Sequence, residues 1–184
     1  MVLLLIVLGI VVVVALMVVG MYNGLVQMRV SFQNAWSQID VQLKRRHDLI
    51  PNLVETAKGY MSHERGTLES VTKARQMAVD ASSIKDKLAA ENALTSTLRS
   101  LMAVAENYPN LKADQTMLRL QEELTTTENK IGFARQYYND EVGRYNTAIQ
   151  TFPNSIIAGQ FAFKPAEFFQ LEDAAERNAP QVKF

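Results

Sequence analysis

The chain has 184 residues, with 19 Lys and Arg against 19 Asp and Glu, so its formal net charge is zero. That balance lacks the basic excess of a nucleic-acid-binding surface and the sparse hydrophobicity and high net charge of a disordered chain. It contains no cysteine, which excludes a disulfide framework, a thiolate nucleophile and any cysteine-ligated metal.

Residues 1–28 carry no charged side chain, and within Met1–Tyr22 only Gly9 and Gly20 fall outside the hydrophobic set. About 20 apolar residues at 1.5 Å each cross a hydrocarbon core of about 30 Å, and Val2–Met21 meets that length. A cleaved signal peptide is the alternative. It would need a basic start, a shorter apolar core and a small-x-small cleavage site. This segment has no Lys or Arg, and Val18-Val19-Gly20-Met21 is a poor cleavage site. A retained anchor is therefore expected, with Val2, Leu3, Ile6, Val13, Leu16 and Val19 facing lipid. Gly20 and Gly24 have the spacing of a close-packing motif of membrane helices, a candidate for helix–helix association. Arg29 follows the span and no cation precedes it, so the positive-inside rule places the rest of the chain on the cytoplasmic side.

From Leu25 apolar residues recur in steps of three and four: Leu25, Met28, Phe32, Trp36, Ile39, Leu43, then Ile50, Leu53, Ala57 and Met61. This is one buried stripe of an α-helix. The anchor is expected to run into this helix, with a kink and not an end at Pro51, because the stripe resumes in phase. A turn is expected at 62–66. A second helix starts near Thr67, and a joint follows at Asp80–Ser83. Ser83-x-x-Asp86 resembles a capping box, after which Ile84, Leu88, Leu94, Leu98, Leu101, Met102 and Ala105 continue. Pro109 is expected to end that helix. In the last long helix Met117, Leu124, Ile131, Tyr138, Tyr145 and Phe152 fall every seven residues, a coiled-coil-like seam. The other seam position holds Leu120, Thr127, Ala134 and Ala148, with Val142 beside Glu141. Pro153 is expected to stop the helix. The sequence thus predicts an all-α protein: a transmembrane anchor over residues 1–22, continuous with an antiparallel four-helix-type bundle over 23–153. An aromatic-rich tail over 154–184 would dock on the bundle, on a partner or at the membrane interface, with fraying over Asp173–Pro180.

Catalytic signatures are absent. The residues three before His47 and His63 are Lys44 and Tyr60, so the Glu-x-x-His pairs of a di-metal bundle are missing. There is no nucleophile elbow and no phosphate loop. No cofactor, metal, nucleic acid or small-molecule substrate is implied. The polar stretch Gln38–Asn52, with Arg46, Asp48 and Asn52, is taken as a solvated helix face in preference to a recognition patch. The pairs Tyr138-Asn139 and Tyr145-Asn146 lie one heptad apart. Their tyrosines are expected in the core, and Asn139 and Asn146 in a register-fixing polar network that Glu128 and Arg135 would join.

Several blocks carry a resemblance. They are Ala35–Val54 with its Arg-Arg-His-Asp-Leu-Ile-Pro-Asn-Leu-Val end, Glu106-Asn-Tyr-Pro-Asn-Leu-Lys112, Leu120–Leu124, Thr127-Glu-Asn129, Ala134-Arg135 and the two Tyr-Asn pairs. In this order the chain resembles the bacterial LemA family from residue 22 to about 170, thinning in the phenylalanine-rich tail. The resemblance implies one N-terminal membrane helix carrying an antiparallel bundle, with no assigned catalytic activity. It also brings kinship with magnetosome proteins and an association with a membrane metalloprotease. The expected function is a non-enzymatic, single-pass scaffold or adaptor in the bacterial cytoplasmic membrane, with the bilayer and a homo-oligomer as partners. An accessory factor for a membrane protease or an envelope stress response is the alternative. An enzyme is the third reading, which a pocket lined by Glu128, Arg135 and histidines would revive.

Overall fold

The computed structural model describes residues 1–61 and 63–169. Among these residues six helices occur in chain order: α1 Val2–Lys58, α2 Arg65–Asp80, α3 Ile84–Ala105, α4 Pro109–Lys112, α5 Gln115–Gln150 and α6 Asn154–Gln160. No strand occurs among the described residues. The all-α expectation holds. The apolar N-terminal segment and the first bundle helix are one element, α1, which continues through Pro51.

The local chemistry sets the helix ends. At the start of α3 the Ser83 hydroxyl accepts the Asp86 N–H at 3.0 Å and donates to Asp86 Oδ2 at 2.6 Å. The cap therefore closes through the two side chains, which satisfies one of the orphan donors of the first turn. Pro109 does not end α3 as the sequence suggests. Helix α3 stops at Ala105, and Pro109 instead opens α4 at its first position. There its missing N–H costs nothing, and its ring is already shaped for a helix. Tyr108, extended ahead of the proline at φ −117°, supplies the break. Asp114 caps α5, its Oδ1 accepting the Met117 N–H at 2.9 Å. The capping bond and the Tyr60 hydroxyl, 3.0 Å from Oδ2, hold the Asp114 carboxyl below the usual carboxylate range.

The chain forms two compact units. Among the described residues, unit 1 comprises residues 1–42 and 130–168, and unit 2 comprises 43–129 with Phe169. The core of unit 2 is apolar and drawn from five helices: Ile50, Leu53 and Ala57 of α1, Leu68 and Val71 of α2, Leu94, Leu98 and Leu101 of α3, Leu111 of α4, and Met117 and Leu120 of α5. In unit 1, Leu25 of α1, Tyr145 and Ile149 of α5, Ile157 and Ala158 of α6 and Phe163 form a second cluster. The heptad seam is buried at Met117, Ile131, Tyr138 and Tyr145, but Phe152 is exposed. Helix α5 ends at Gln150 and the chain turns before Phe152 can join the seam. The short helix α6 within the tail carries no sequence signal strong enough to have been expected. The fraying expected over Asp173–Pro180 lies outside the described residues.

Candidate functional site

Unit 2 contains a charge cluster in its interior. Arg46 and His47 of α1 and Glu91 of α3 are all buried. The Arg46 Nη1 lies 3.3 Å from Glu91 Oε2 and 3.1 Å from Glu128 Oε2, and its Nη2 donates to Thr95 Oγ1 at 2.7 Å. His47 Nε2 is 2.6 Å from Glu91 Oε1, so the ring nitrogen donates to the carboxylate. The Arg75 Nε donates to the backbone carbonyl of His47 at 2.7 Å. Glu91 thus has both oxygens engaged, and Arg46 bridges α1, α3 and α5. A buried ion is tolerated only with this degree of pairing, because the loss of hydration costs several kcal/mol per charge.

The expectation of a solvated face over Gln38–Asn52 therefore fails at Arg46 and His47 and holds at Lys44, Arg45, Asp48 and Asn52, which are exposed. The sequence did hold the signal. The apolar stripe of α1 skips from Leu43 to Ile50, and position 46 lies three beyond one and four before the other. In α3 the stripe skips from Leu88 to Leu94, and Glu91 stands midway. An Arg and a Glu on core positions of two helices are a candidate buried pair.

Arg46 and Glu128 also line a cavity of about 450 Å³ whose apolar wall includes Leu98, Met102, Met117 and Leu124. Neither Arg135 nor a histidine lines it. Glu128 turns to Arg46. Among the described residues no group of three or more His, Asp or Glu side chains is arranged to hold a metal ion.

In unit 1 the Tyr-Asn pairs do something the sequence did not announce. Asn146 Nδ2 donates to the carbonyl of Ala166 at 2.9 Å, while its Oδ1 accepts the Ala166 N–H at 2.8 Å. The Tyr145 hydroxyl donates to the Lys164 carbonyl at 3.0 Å and the Tyr138 hydroxyl to the Glu167 carbonyl at 2.8 Å. Together they fasten residues 164–167, which belong to no helix or strand, along α5. Burial raises both tyrosine pKa values above the ordinary one. The Glu167 carboxylate adds to the rise at Tyr138, and Arg29 opposes it at Tyr145. The hydroxyls thus stay protonated and able to donate. Phe32 lies 5.0 Å from Tyr145 and Trp36 5.4 Å from Tyr138, ring centre to ring centre. Asn139 and Arg135 are both half-buried on α5.

The third feature is the apolar part of α1. It is long and apolar enough to cross a membrane, and none of its most apolar window is buried. Val2, Leu3, Ile6, Val13, Leu16 and Val19 are all exposed. A side chain added at Gly20 or Gly24 would meet no atom within 4 Å, so both glycines border open space.

Comparison with known proteins agrees with the sequence. The family model described as "LemA family" matches residues 35–184, starting later than the resemblance above and continuing through the aromatic tail. The chain is 26% identical to magnetosome protein MamQ 1 of Paramagnetospirillum magneticum and 25% identical to magnetosome protein MamQ of Magnetospirillum gryphiswaldense. Each match covers 84% of this chain and 66% of the relative. It is also 26% identical to protein LemA of Metamycoplasma hominis, over 84% of this chain and 71% of that protein. The chain spans just under two thirds of the length of the magnetosome relatives it matches.

Proposed function

The chain belongs to the LemA family, and for this member we propose a non-enzymatic scaffold or adaptor. It is held in a membrane by α1 and binds other proteins, itself included, through its helices. The observation that carries the reading is the continuity of α1. The exposed apolar stretch passes without a break into the part of the same helix that contributes Leu25, Ala35 and Ile39 to the buried interior of unit 1. A helix needs no loop to transmit position, so a bundle built on it is carried by the anchor without a flexible linker. Similarity to proteins named for the magnetosome supports a place at a membrane. In the cytoplasmic membrane, Arg29 just after the span favours the cytoplasmic side for the helices by the positive-inside rule. The buried ionic groups of unit 2 are committed to one another, which suits a load-carrying core better than turnover.

Cross-linking in native membranes, followed by mild detergent extraction and sizing, tests the reading. Discrete multimers or a stoichiometric protein partner are expected. A chain that is released by carbonate, or that stays monomeric and partnerless under cross-linking, refutes it. A co-purifying membrane metalloprotease redirects the function to an accessory role for that enzyme.

A further inference from the structure

Unit 1 carries a second uncharged stretch, and the structure sets it at the foot of the first. From Tyr145 to Phe163 no side chain is charged, and the flanking residues are the cations Arg144 and Lys164, both exposed. The stretch contains the end of α5, the turn through Phe152 and Pro153, and α6. One side of it is buried against α1 through Ile149, Ile157 and Phe163, with Val18, Met21 and Tyr22 packed on that cluster. The other side leaves Phe152 77%, Ile156 62% and Phe161 51% exposed. Isolated exposed apolar residues are ordinary, but three large ones around one turn and one short helix, with no charge among them, form a patch that calls for an occupant.

The continuity with α1 names that occupant. Val2–Met21 is long enough to cross the hydrocarbon core, so Met21 and Tyr22 stand where it ends. Tyr22 contacts Phe161 at 4.9 Å between ring centres and Phe163 at 5.7 Å, and aromatic rings favour this boundary. The Arg29 guanidinium stacks on the other ring of the pair, 4.4 Å from the centre of Phe163. The backbone sends the two phenylalanines opposite ways. Ala162 takes the left-handed conformation at φ 54°. The Phe163 N–H reaches the Ala158 carbonyl at 2.9 Å, and the Ala162 N–H reaches the Gly159 carbonyl at 3.4 Å. These are the two bonds of a Schellman close. Phe163 turns into the core, and Phe161 stays outside.

We propose that Phe152, Ile156 and Phe161 form a second membrane contact: the α5–α6 turn lies in the interfacial layer beside the emerging α1, with Lys164 directed at lipid phosphates while Arg144 pairs with Glu141 at 3.1 Å. The contact rests on α1 spanning the bilayer and adds to it a fixed rotation and depth for unit 1. A single helix leaves unit 1 free to swivel about the membrane normal, and a second contact a few residues from its foot removes that freedom.

The absence of native cysteine makes the test direct. Full-length Phe152→Cys and Ile156→Cys, both at highly exposed positions, carry a nitroxide. So do Val11→Cys as a reference for the span and Ser100→Cys as a reference for water. Each is reconstituted in phosphatidylcholine–phosphatidylglycerol vesicles, and collision rates with oxygen and with a water-soluble nickel chelate are compared. The expected result is an oxygen preference at 152 and 156 severalfold above that at 100 and below that at 11. Water-like values at 152 and 156 with a lipid-like value at 11 overturn the second contact and leave the anchor standing. A water-like value at 11 overturns both. Shielding that appears only in native membranes, or that fades on dilution of the protein in lipid, overturns the lipid contact in favour of a protein partner or a second copy.

Discussion

Replacing Glu91 tests whether the buried charge cluster organises unit 2. Glu91 is 1% exposed and accepts from two buried cationic or ring donors, Arg46 and His47. Glu91→Ala leaves His47 Nε2 without its acceptor and strips Arg46 of one of two carboxylates. Breaking a buried pair by removing one partner costs about 3–5 kcal/mol. The loss belongs near the lower bound, because Arg46 retains Glu128 at 3.1 Å and Thr95 at 2.7 Å. At about 3 kcal/mol, and about 2–4 °C per kcal/mol for a chain of this size, the unfolding midpoint falls by roughly 6–12 °C. The assay is thermal and urea unfolding of the full chain in detergent, followed by far-ultraviolet circular dichroism. The double variant Arg46→Met with Glu91→Leu removes both charges and returns apolar volume, so it recovers the part of the loss due to the unpaired Arg46 charge, as apolar replacement of buried ion pairs does, while His47 still lacks its acceptor. A Glu91→Ala loss below about 1 kcal/mol, or a double variant as unstable as the sum of its single changes, refutes an interior pair coupled by desolvation.

Asn146→Ala removes two hydrogen bonds to Ala166, worth about 1 kcal/mol each. Amide exchange at Ala166 should then accelerate about thirtyfold, and unchanged exchange counts against the fastening of the tail to α5. Ala162→Gly relieves a left-handed alanine and is expected to stabilise the turn after α6 by up to about 1 kcal/mol; a lower unfolding midpoint contradicts the Schellman geometry. Because the folded Asp114 carboxyl is held below its ordinary range, its contribution is present above the unfolded value of about 3.9 and is lost as pH falls through the lower folded one. Wild type should therefore lose stability below about pH 4 more steeply than Asp114→Asn, which keeps a capping oxygen without the charge. Parallel acid profiles would sink that assignment.

The elements that were legible in the sequence are those whose causes are local. The length and apolarity of Val2–Met21, the three-and-four spacing from Leu25 to Ala57 and the Ser83–Asp86 cap each concern residues that are neighbours along the chain. The helical class and the unbroken passage of α1 through Pro51 follow from them. One error of local reading came where a proline was taken as a stop. Pro109 opens α4 because the chain had already left the helix at Ala105, and only the path of the chain decides which side of a proline the helix occupies.

What only the tertiary structure decided is what sits opposite each side chain. Arg46 and Glu91 are 45 residues apart, and although each stands on the apolar stripe of its own helix, nothing near either one says which partner will meet it. That depends on the helices that arrive to cover it. The same holds for Asn146, an ordinary heptad neighbour in sequence, which acquires its role when the extended segment around Ala166 folds back along α5. Helix formation and membrane crossing are summed over neighbours in the chain and so are written in its order of residues. Desolvation and pairing are properties of the packed interior, and exist only once distant segments meet.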